Sequence, residues 1–150
     1  MDYHIIAPKD PLWEKVTTYA KTCSWSAGNK LAVQMEEKDF LEWERILVAM
    51  DGERVAGYCT LTEKDSLPVS EFTPFIGYIF VDERYRGNRV SEKMVRSASL
   101  YLERLGHPSI YIYSGHTGLY EKYGFRVVKK WKNEKDEWEK IFKKETKKQS

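Results

Sequence analysis

The sequence predicts a single α/β domain spanning residues 1–150, built on a mixed sheet of about seven strands with helices on both faces. Three observations carry this expectation. Apolar runs rich in β-branched and aromatic residues alternate along the chain with segments of helical periodicity. Their order is strand, two helices, three strands, helix, strand, short helix and two strands. At 150 residues, with no repeat and no linker, the chain has the size of one domain that buries its own core. Hydrophobic residues make up a modest 41%, but a 14% aromatic content adds buried area per residue.

Residues 2–8 read as the first strand, closed by Pro8 and Pro11. Asp10 is placed to cap a helix with Pro11 at its first position. That helix runs to about Trp25 through Leu12, Val16, Tyr19, Ala20 and Cys23. Ser26-Ala27-Gly28-Asn29 interrupts it, and a shorter helix follows with Leu31, Met35 and Phe40 on one face. Residues 45–50 and 54–61 are strands joined through Asp51-Gly52, a two-residue hairpin signal suited to a type I′ turn. Residues 66–73, with Pro68, form a loop. The next strand covers residues 73–81, with Pro74 at its start, where a missing N–H is tolerated.

A long helix is written in Val90, Met94, Ala98, Tyr101 and Leu105, flanked by Val95 and Leu102. Residues 109–113 form a strand. Residues 118–124 form a helix too short to be stable alone. Gly124 suits a left-handed cap at its end. Residues 125–131 and about 137–142 are the last two strands. From residue 143 the chain is a lysine-rich tail, with Lys143, Lys144, Lys147 and Lys148 opposed by Glu145 alone. Such a tail is either a solvated, frayed terminus or a tether to nucleic acid or membrane.

Composition excludes several classes. A net charge of +2 lacks the strong basic excess of a dedicated nucleic-acid binder. No window of eighteen apolar residues offers a transmembrane helix. Met1-Asp2-Tyr3-His4 has neither a basic leader nor an apolar signal core, so the expectation is a cytoplasmic protein with no nucleic-acid or membrane partner. Cys23 and Cys59 show no Cys-x-x-Cys spacing and read as reduced thiols behaving as small hydrophobes. With three His and two Cys scattered at 4, 23, 59, 107 and 116, no metal site is predicted.

The chemistry begins in the segment 78–91, where an apolar strand feeds a basic turn, Arg86-Gly87-Asn88-Arg89, and then a helix start. First-turn N–H groups of a helix have no internal acceptor, and the helix dipole adds partial positive charge there. Gly87 lets backbone approach a ligand closely, while Arg86 and Arg89 supply full charges. This is a device for holding phosphate. A P-loop is absent, and the three glycines of a dinucleotide fingerprint are reduced here to one.

The turn resembles the acetyl-CoA signature of the GNAT superfamily of N-acetyltransferases, Arg/Gln-x-x-Gly-x-Gly/Ala, preceded by an apolar-x-Val strand end. Arg86 fits its first position, whereas Arg89 stands for the fourth-position Gly and Ser91 for the sixth-position Gly or Ala. Downstream, Gly118-Leu119-Tyr120-Glu121-Lys122-Tyr123-Gly124-Phe125 resembles the family segment Leu/Phe-Tyr-Glu-Lys-x-Gly-Phe. The two motifs come in the family's order, and the resemblance spans roughly residues 44–131.

The resemblance implies a GNAT-like, mostly antiparallel sheet and acetyl-CoA as co-substrate, with no metal. Ile79, Phe80 and Val81 would sit on a strand that splays from its parallel neighbour and bonds the pantetheine arm through its backbone. Arg86, Gly87, Asn88, Arg89, Val90 and Ser91 would hold the pyrophosphate. Tyr120 matches the tyrosine that protonates the leaving thiolate in many members, the alternative being that its ring only packs. His116 is either a base or proton relay, since imidazole titrates near neutrality, or a turn-stabilising side chain. Glu63 and Glu71 are weaker candidates for the base. An Asn-x-x-Ala pattern common in relatives would fall on Tyr113 and His116 and is missing, which leaves that cofactor contact open.

The expected activity is direct acetyl transfer to a primary amine on a small molecule or peptide, by a monomer or homodimer. The alternative is a non-catalytic acyl-CoA-binding or regulatory module, since fold alone does not imply activity. The acceptor would be shaped by residues 25–30, 65–73 and 132–136, and no acidic cluster in them points to a polycation.

Overall fold

The computed structural model describes residues 1–65 and 71–146. In chain order the elements are β1 (Asp2–Ile6), α1 (Leu12–Thr22), α2 (Gly28–Glu36), β2 (Arg45–Asp51), β3 (Arg54–Thr62) and β4 (Phe75–Val81). They continue with α3 (Val90–Arg104), β5 (Ser109–Ser114), β6 (Arg126–Lys132) and β7 (Trp138–Glu145). Two short 3₁₀ turns, Glu83–Tyr85 and Tyr120–Tyr123, lie between them. The seven strands form one sheet in the order β1-β2-β3-β4-β5-β7-β6. Every neighbouring pair is antiparallel except β4 and β5.

Strand alternation divides the core between the two faces. Leu47 and Ala49 of β2 and Ala56, Cys59 and Leu61 of β3 point to one face. There they meet Val90, Met94, Val95, Ala98 and Leu102 of α3. Ile46, Val48 and Met50 point the other way, with Tyr58, and meet Trp13, Val16 and Ala20 of α1 and Leu31, Ala32 and Met35 of α2. Because helices cover both faces, β2 and β3 are nearly continuous apolar runs. Gly28 opens α2 against α1: a Cβ there would strike the Ala20 carbonyl oxygen.

The predicted elements are all present, with shifted ends. Asp10 caps α1 by accepting from the Leu12 N–H at 2.9 Å. The helix stops at Thr22, because Cys23 is extended at φ −71°, ψ 165°. Trp25 therefore leaves the helix and stacks on Phe80, ring centroids 5.6 Å apart. Phe40 also lies beyond its helix and packs edge-on against Trp13. In the β2–β3 hairpin Asp51 still pairs with Arg54, so Gly52 and Glu53 form the loop, and Gly52 takes the left-handed position at φ 58°. Residues 66–70 of the predicted loop, and residues 147–150 of the tail, lie outside the described residues.

The tail begins later than its composition suggests. β7 runs through Glu145, and Lys143, Lys144 and Glu145 pair with Tyr111, Ile110 and Ser109 of β5. Lys144 Nζ also donates to the Tyr123 carbonyl at 3.2 Å. Thr146 then ties the strand end to the α3–β5 connection. Its N–H donates to the Pro108 carbonyl at 3.1 Å and its hydroxyl to the His107 carbonyl at 2.8 Å. Lysines read as a solvated run because charge dominates their hydropathy, yet their backbones complete a ladder and their stems cover the sheet.

Truncation after Lys144 is thus expected to cost roughly 1–2 kcal/mol, at about 1 kcal/mol per hydrogen bond lost. That corresponds to a melting temperature lower by about 2–8 °C. An unchanged melting temperature would show that the strand end contributes nothing.

Candidate active site

The site is made by two strands parting. β4 and β5 are in register only at Phe75 and Tyr111, where the Tyr111 N–H donates to the Pro74 carbonyl at 3.0 Å. Beyond that pair the C-terminal half of β4 has no ladder partner on its β5 side. The β3 side is broken as well. Gly77 pairs with Thr60 and Phe80 with Tyr58, so Cys59 opposes two residues, Tyr78 and Ile79. This is a β-bulge, and Tyr78 sits in the left-handed region at φ 44°. A bulky residue with positive φ stores strain and persists where its surroundings impose it, often next to reactive centres.

Two cavities open along this stretch. One, of about 640 Å³, is lined by Ser24, Trp25, Ile79, Phe80, Val81, Glu83, Arg86, Ser91, His116, Leu119 and Tyr120. The other, of about 410 Å³, lies toward β5 and β7 and includes Lys30, Asp65, Gly77, Tyr78, Tyr113, Ser114 and Glu139. Trp25, Ile79, His116 and Tyr120 line both. These four residues mark the junction.

Tyr120 is buried at 4% exposure. Its ring packs edge-on against Phe142, centroids 5.4 Å apart, and against His116 at 6.2 Å. Burial pushes its phenol up to about 12, only partly opposed by the nearby Ser114 side chain. The group therefore carries its proton throughout the neutral range. His116 is exposed, and its N–H donates to Ser114 Oγ at 3.1 Å. Gly124, at φ 93°, closes the 3₁₀ turn in the left-handed conformation that the motif requires.

Of the residues read as cofactor-binding, Ile79, Phe80, Val81, Arg86 and Ser91 line the larger cavity. Arg86 Nε donates to the Val81 carbonyl at 3.0 Å, and its guanidinium lies 5.6 Å from the Phe80 ring centre. Ser91 Oγ and Tyr123 Oη are hydrogen-bonded at 2.8 Å, fastening the start of α3 to the Tyr120 turn. Gly87, Asn88, Arg89 and Val90 are not among the lining side chains. Val90 is buried beneath α3, so only its backbone is available. Asn88 Nδ2 donates back to the Tyr85 carbonyl at 3.3 Å.

Arg89 occupies the N-cap position of α3 at φ 59°. That conformation explains why a glycine serves well here, since a side chain in the left-handed region costs about 1–2 kcal/mol. No side chain caps the helix, which leaves its first amides for a ligand. Gly87 is also left-handed, at φ 85°. These features fit a CoA molecule: an unpaired strand edge for the amide-bearing arm, and an uncapped helix start with Arg86 for the pyrophosphate. Glu83 is the acidic residue among the described residues lining that cavity.

Sequence reasoning did not single out Tyr78, Ser114 or Glu139, and it placed Asp65 only at the start of the acceptor-shaping segment 65–73. An isolated glycine inside an apolar strand signals a bulge or a close backbone approach, and Gly77 carried that signal. Glu63 and Glu71 line neither cavity. Among the described residues no three of His, Cys, Asp and Glu come together as a metal centre needs. Cys23 and Cys59 are free thiols, and burial pushes Cys59 up from the ordinary thiol range. No described helix is long and apolar enough to cross a membrane.

This geometry defines a cleft between two parting strands on an α/β fold, and comparison with known proteins gives the chain a family. Residues 42–127, more than half of the chain, match the acetyltransferase (GNAT) domain. The chain belongs to the GNAT superfamily of acetyl-CoA-dependent N-acetyltransferases.

Solved structures agree in fold. Aminoglycoside 6′-acetyltransferase type Ii is 18% identical with a TM-score of 0.75, over 97% of each chain. The aminoglycoside 6′-N-acetyltransferase from Enterococcus faecium is 17% identical with a TM-score of 0.74, again over 97% of each. The GNAT family N-acetyltransferase YhbS from Escherichia coli, solved with CoA, is 21% identical with a TM-score of 0.68. That match covers 95% of this chain and 80% of the other. No curated protein sequence matches the chain closely enough to count as a relative.

Proposed function

We propose that this protein transfers the acetyl group of acetyl-CoA directly to a primary amine of a small molecule, with Tyr120 as the general acid. The observation that carries this reading is the junction, where a donor-shaped cavity and a second cavity share Trp25, Ile79, His116 and Tyr120. Direct transfer needs two openings onto one reacting carbon. When bound, acetyl-CoA supplies an activated acyl carbon there.

The chain's own groups do the rest. The backbone of Tyr78 and Ile79, beyond the β4–β5 pair, would bond the arm and polarise the thioester carbonyl. Such a donor, aimed where charge develops, contributes on the order of 3 kcal/mol. His116, exposed at the junction, takes the proton of the attacking nitrogen and passes it to solvent. Tyr120 Oη gives its proton to the departing sulfur. A phenol pushed up to about 12 is a weak acid. The burial that raises it acts equally on an arriving thiolate, which becomes a stronger base.

Two measurements test the reading. Acetyl-CoA at about 100 times its dissociation constant should stabilise the protein by about 2.7 kcal/mol. The resulting rise in melting temperature is about 5–11 °C. Thiol release should then depend on an added amine, across a panel of polyamines, amino acids and aminoglycosides, the last being the acceptors named for two of the structural neighbours. Stabilisation by acetyl-CoA without amine-dependent thiol release from any member would favour the non-catalytic module.

A further inference from the structure

A third cavity, of about 450 Å³, shares no lining residue with the two that form the cleft. Lys15, Thr18 and Tyr19 of α1 line it, with Glu53, Arg54 and Val55 of the β2–β3 hairpin. The turn after β4 contributes Asp82, Arg84 and Tyr85. Glu83 and Arg86 of that same turn line the donor cavity instead. One turn thus divides its side chains between two separate openings.

The walls of the third cavity are largely apolar and fixed in place. Tyr19 Oη donates to Asp82 Oδ2 at 2.6 Å, and Tyr85 Oη donates to Asp51 Oδ2 at 2.7 Å. With both hydroxyls committed, the two rings and Val55 present hydrocarbon. The other Asp82 oxygen accepts from the Arg84 N–H at 2.9 Å, and Glu53 is paired with Lys15 at 2.9 Å. Both carboxylates of the cavity are therefore engaged. Arg54 and Arg84 differ: both are exposed, and neither forms an ion pair among the described residues. Their charges act on the two rings. Burial, followed by Asp82, raises the Tyr19 phenol, and Arg84 opposes the rise. The hydrogen bond to Asp51 raises the Tyr85 phenol, and Arg54 opposes it.

We infer that this cavity is a second ligand site, taking an organic anion whose flat apolar body lies against the tyrosine rings and whose carboxylate meets Arg54 and Arg84. A guanidinium is a planar fork that matches a carboxylate and remains charged at any working pH. An inorganic ion would leave the apolar wall in water, and a cation would meet two unpaired guanidiniums. The ligand is therefore neither the acetyl donor nor an amine acceptor. The site stands apart from the transfer reaction, and its test does not depend on turnover.

The test compares 2-naphthoate with its neutral amide, 2-naphthamide, by ligand-observed NMR on the full chain, with and without saturating CoA. The wild type is expected to bind the acid at least about tenfold more tightly than the amide, and CoA should not displace it. Arg54→Gln and Arg84→Gln, both at exposed positions, should each reduce that preference by about 3- to 10-fold. Together they should abolish it. Thr18→Trp, which fills the cavity from an exposed position on α1, should exclude both probes while CoA affinity stays unchanged. It keeps the test decisive if the double arginine variant fails to fold. A wild type that binds acid and amide equally, or neither, overturns the inference. Displacement of the acid by CoA does so too, because it would assign the anion to the donor cleft. So does a preference that survives the double arginine variant, or binding that Thr18→Trp leaves intact.

Discussion

Arg86→Glu is expected to raise the dissociation constant for CoA by about 10- to 100-fold, which is about 1.4–2.7 kcal/mol, while the fold survives. Arg86 is exposed and lines the donor cavity beside Ser91 and Glu83. Its guanidinium is held by the Val81 carbonyl and the Phe80 ring, on the wall of the cavity that Ser91 of α3 also lines. Reversal removes one cation and places a second carboxylate beside Glu83, so a pyrophosphate would meet repulsion where it now meets attraction.

Two charges about 6 Å apart at a wet surface interact by roughly 1 kcal/mol each way, which sets the estimate. Because the effect is Coulombic, it should shrink in about 1 M salt, where the screening length falls to about 3 Å. Arg86→Ala should give an intermediate loss. Calorimetry showing unchanged affinity at low salt would move the pyrophosphate away from this turn.

The fold was legible because its signals are local and repeated. The four-four-three spacing from Val90 to Tyr101 describes α3, and Asp51-Gly52 marks the β2–β3 hairpin. The ends were less legible because tertiary contacts set them. Trp25 has helical neighbours on one side only and leaves the helix for the Phe80 ring. Lys143 and Lys144 look solvated by composition, yet they pair with β5.

The site was legible where chemistry is written in a run of residues. The turn from Arg86 and the Tyr120 segment each combine glycine geometry with a functional side chain. It was not legible where distant segments meet. Asp65 and Gly77 are twelve positions apart, and nothing in either segment shows that one fills the space the other leaves. The Tyr78 bulge is likewise a product of register, because Cys59 must face two residues for β4 to leave β5.

Tyr120→Phe is expected to lower kcat by roughly 10- to 1,000-fold with acetyl-CoA affinity little changed. General acid catalysis typically supplies about 10²- to 10⁴-fold, and water in an open cleft recovers part of it. The substitution keeps the ring that packs on Phe142 and His116 and removes only the hydroxyl. Folding should therefore persist.

The pH profile adds a readout that a packing role would not move. An acid must stay protonated to work, and burial holds this phenol up to about 12. The wild type should accordingly show no loss of kcat assignable to Tyr120 up to about pH 10. A fluorinated tyrosine at this position, a stronger acid on the same ring, should bring the basic limb down to lower pH. If the phenylalanine variant turns over its best amine like the parent, and the fluorinated one titrates like the parent, the thiolate leaves with a proton from water or His116, and Tyr120 is a core residue alone.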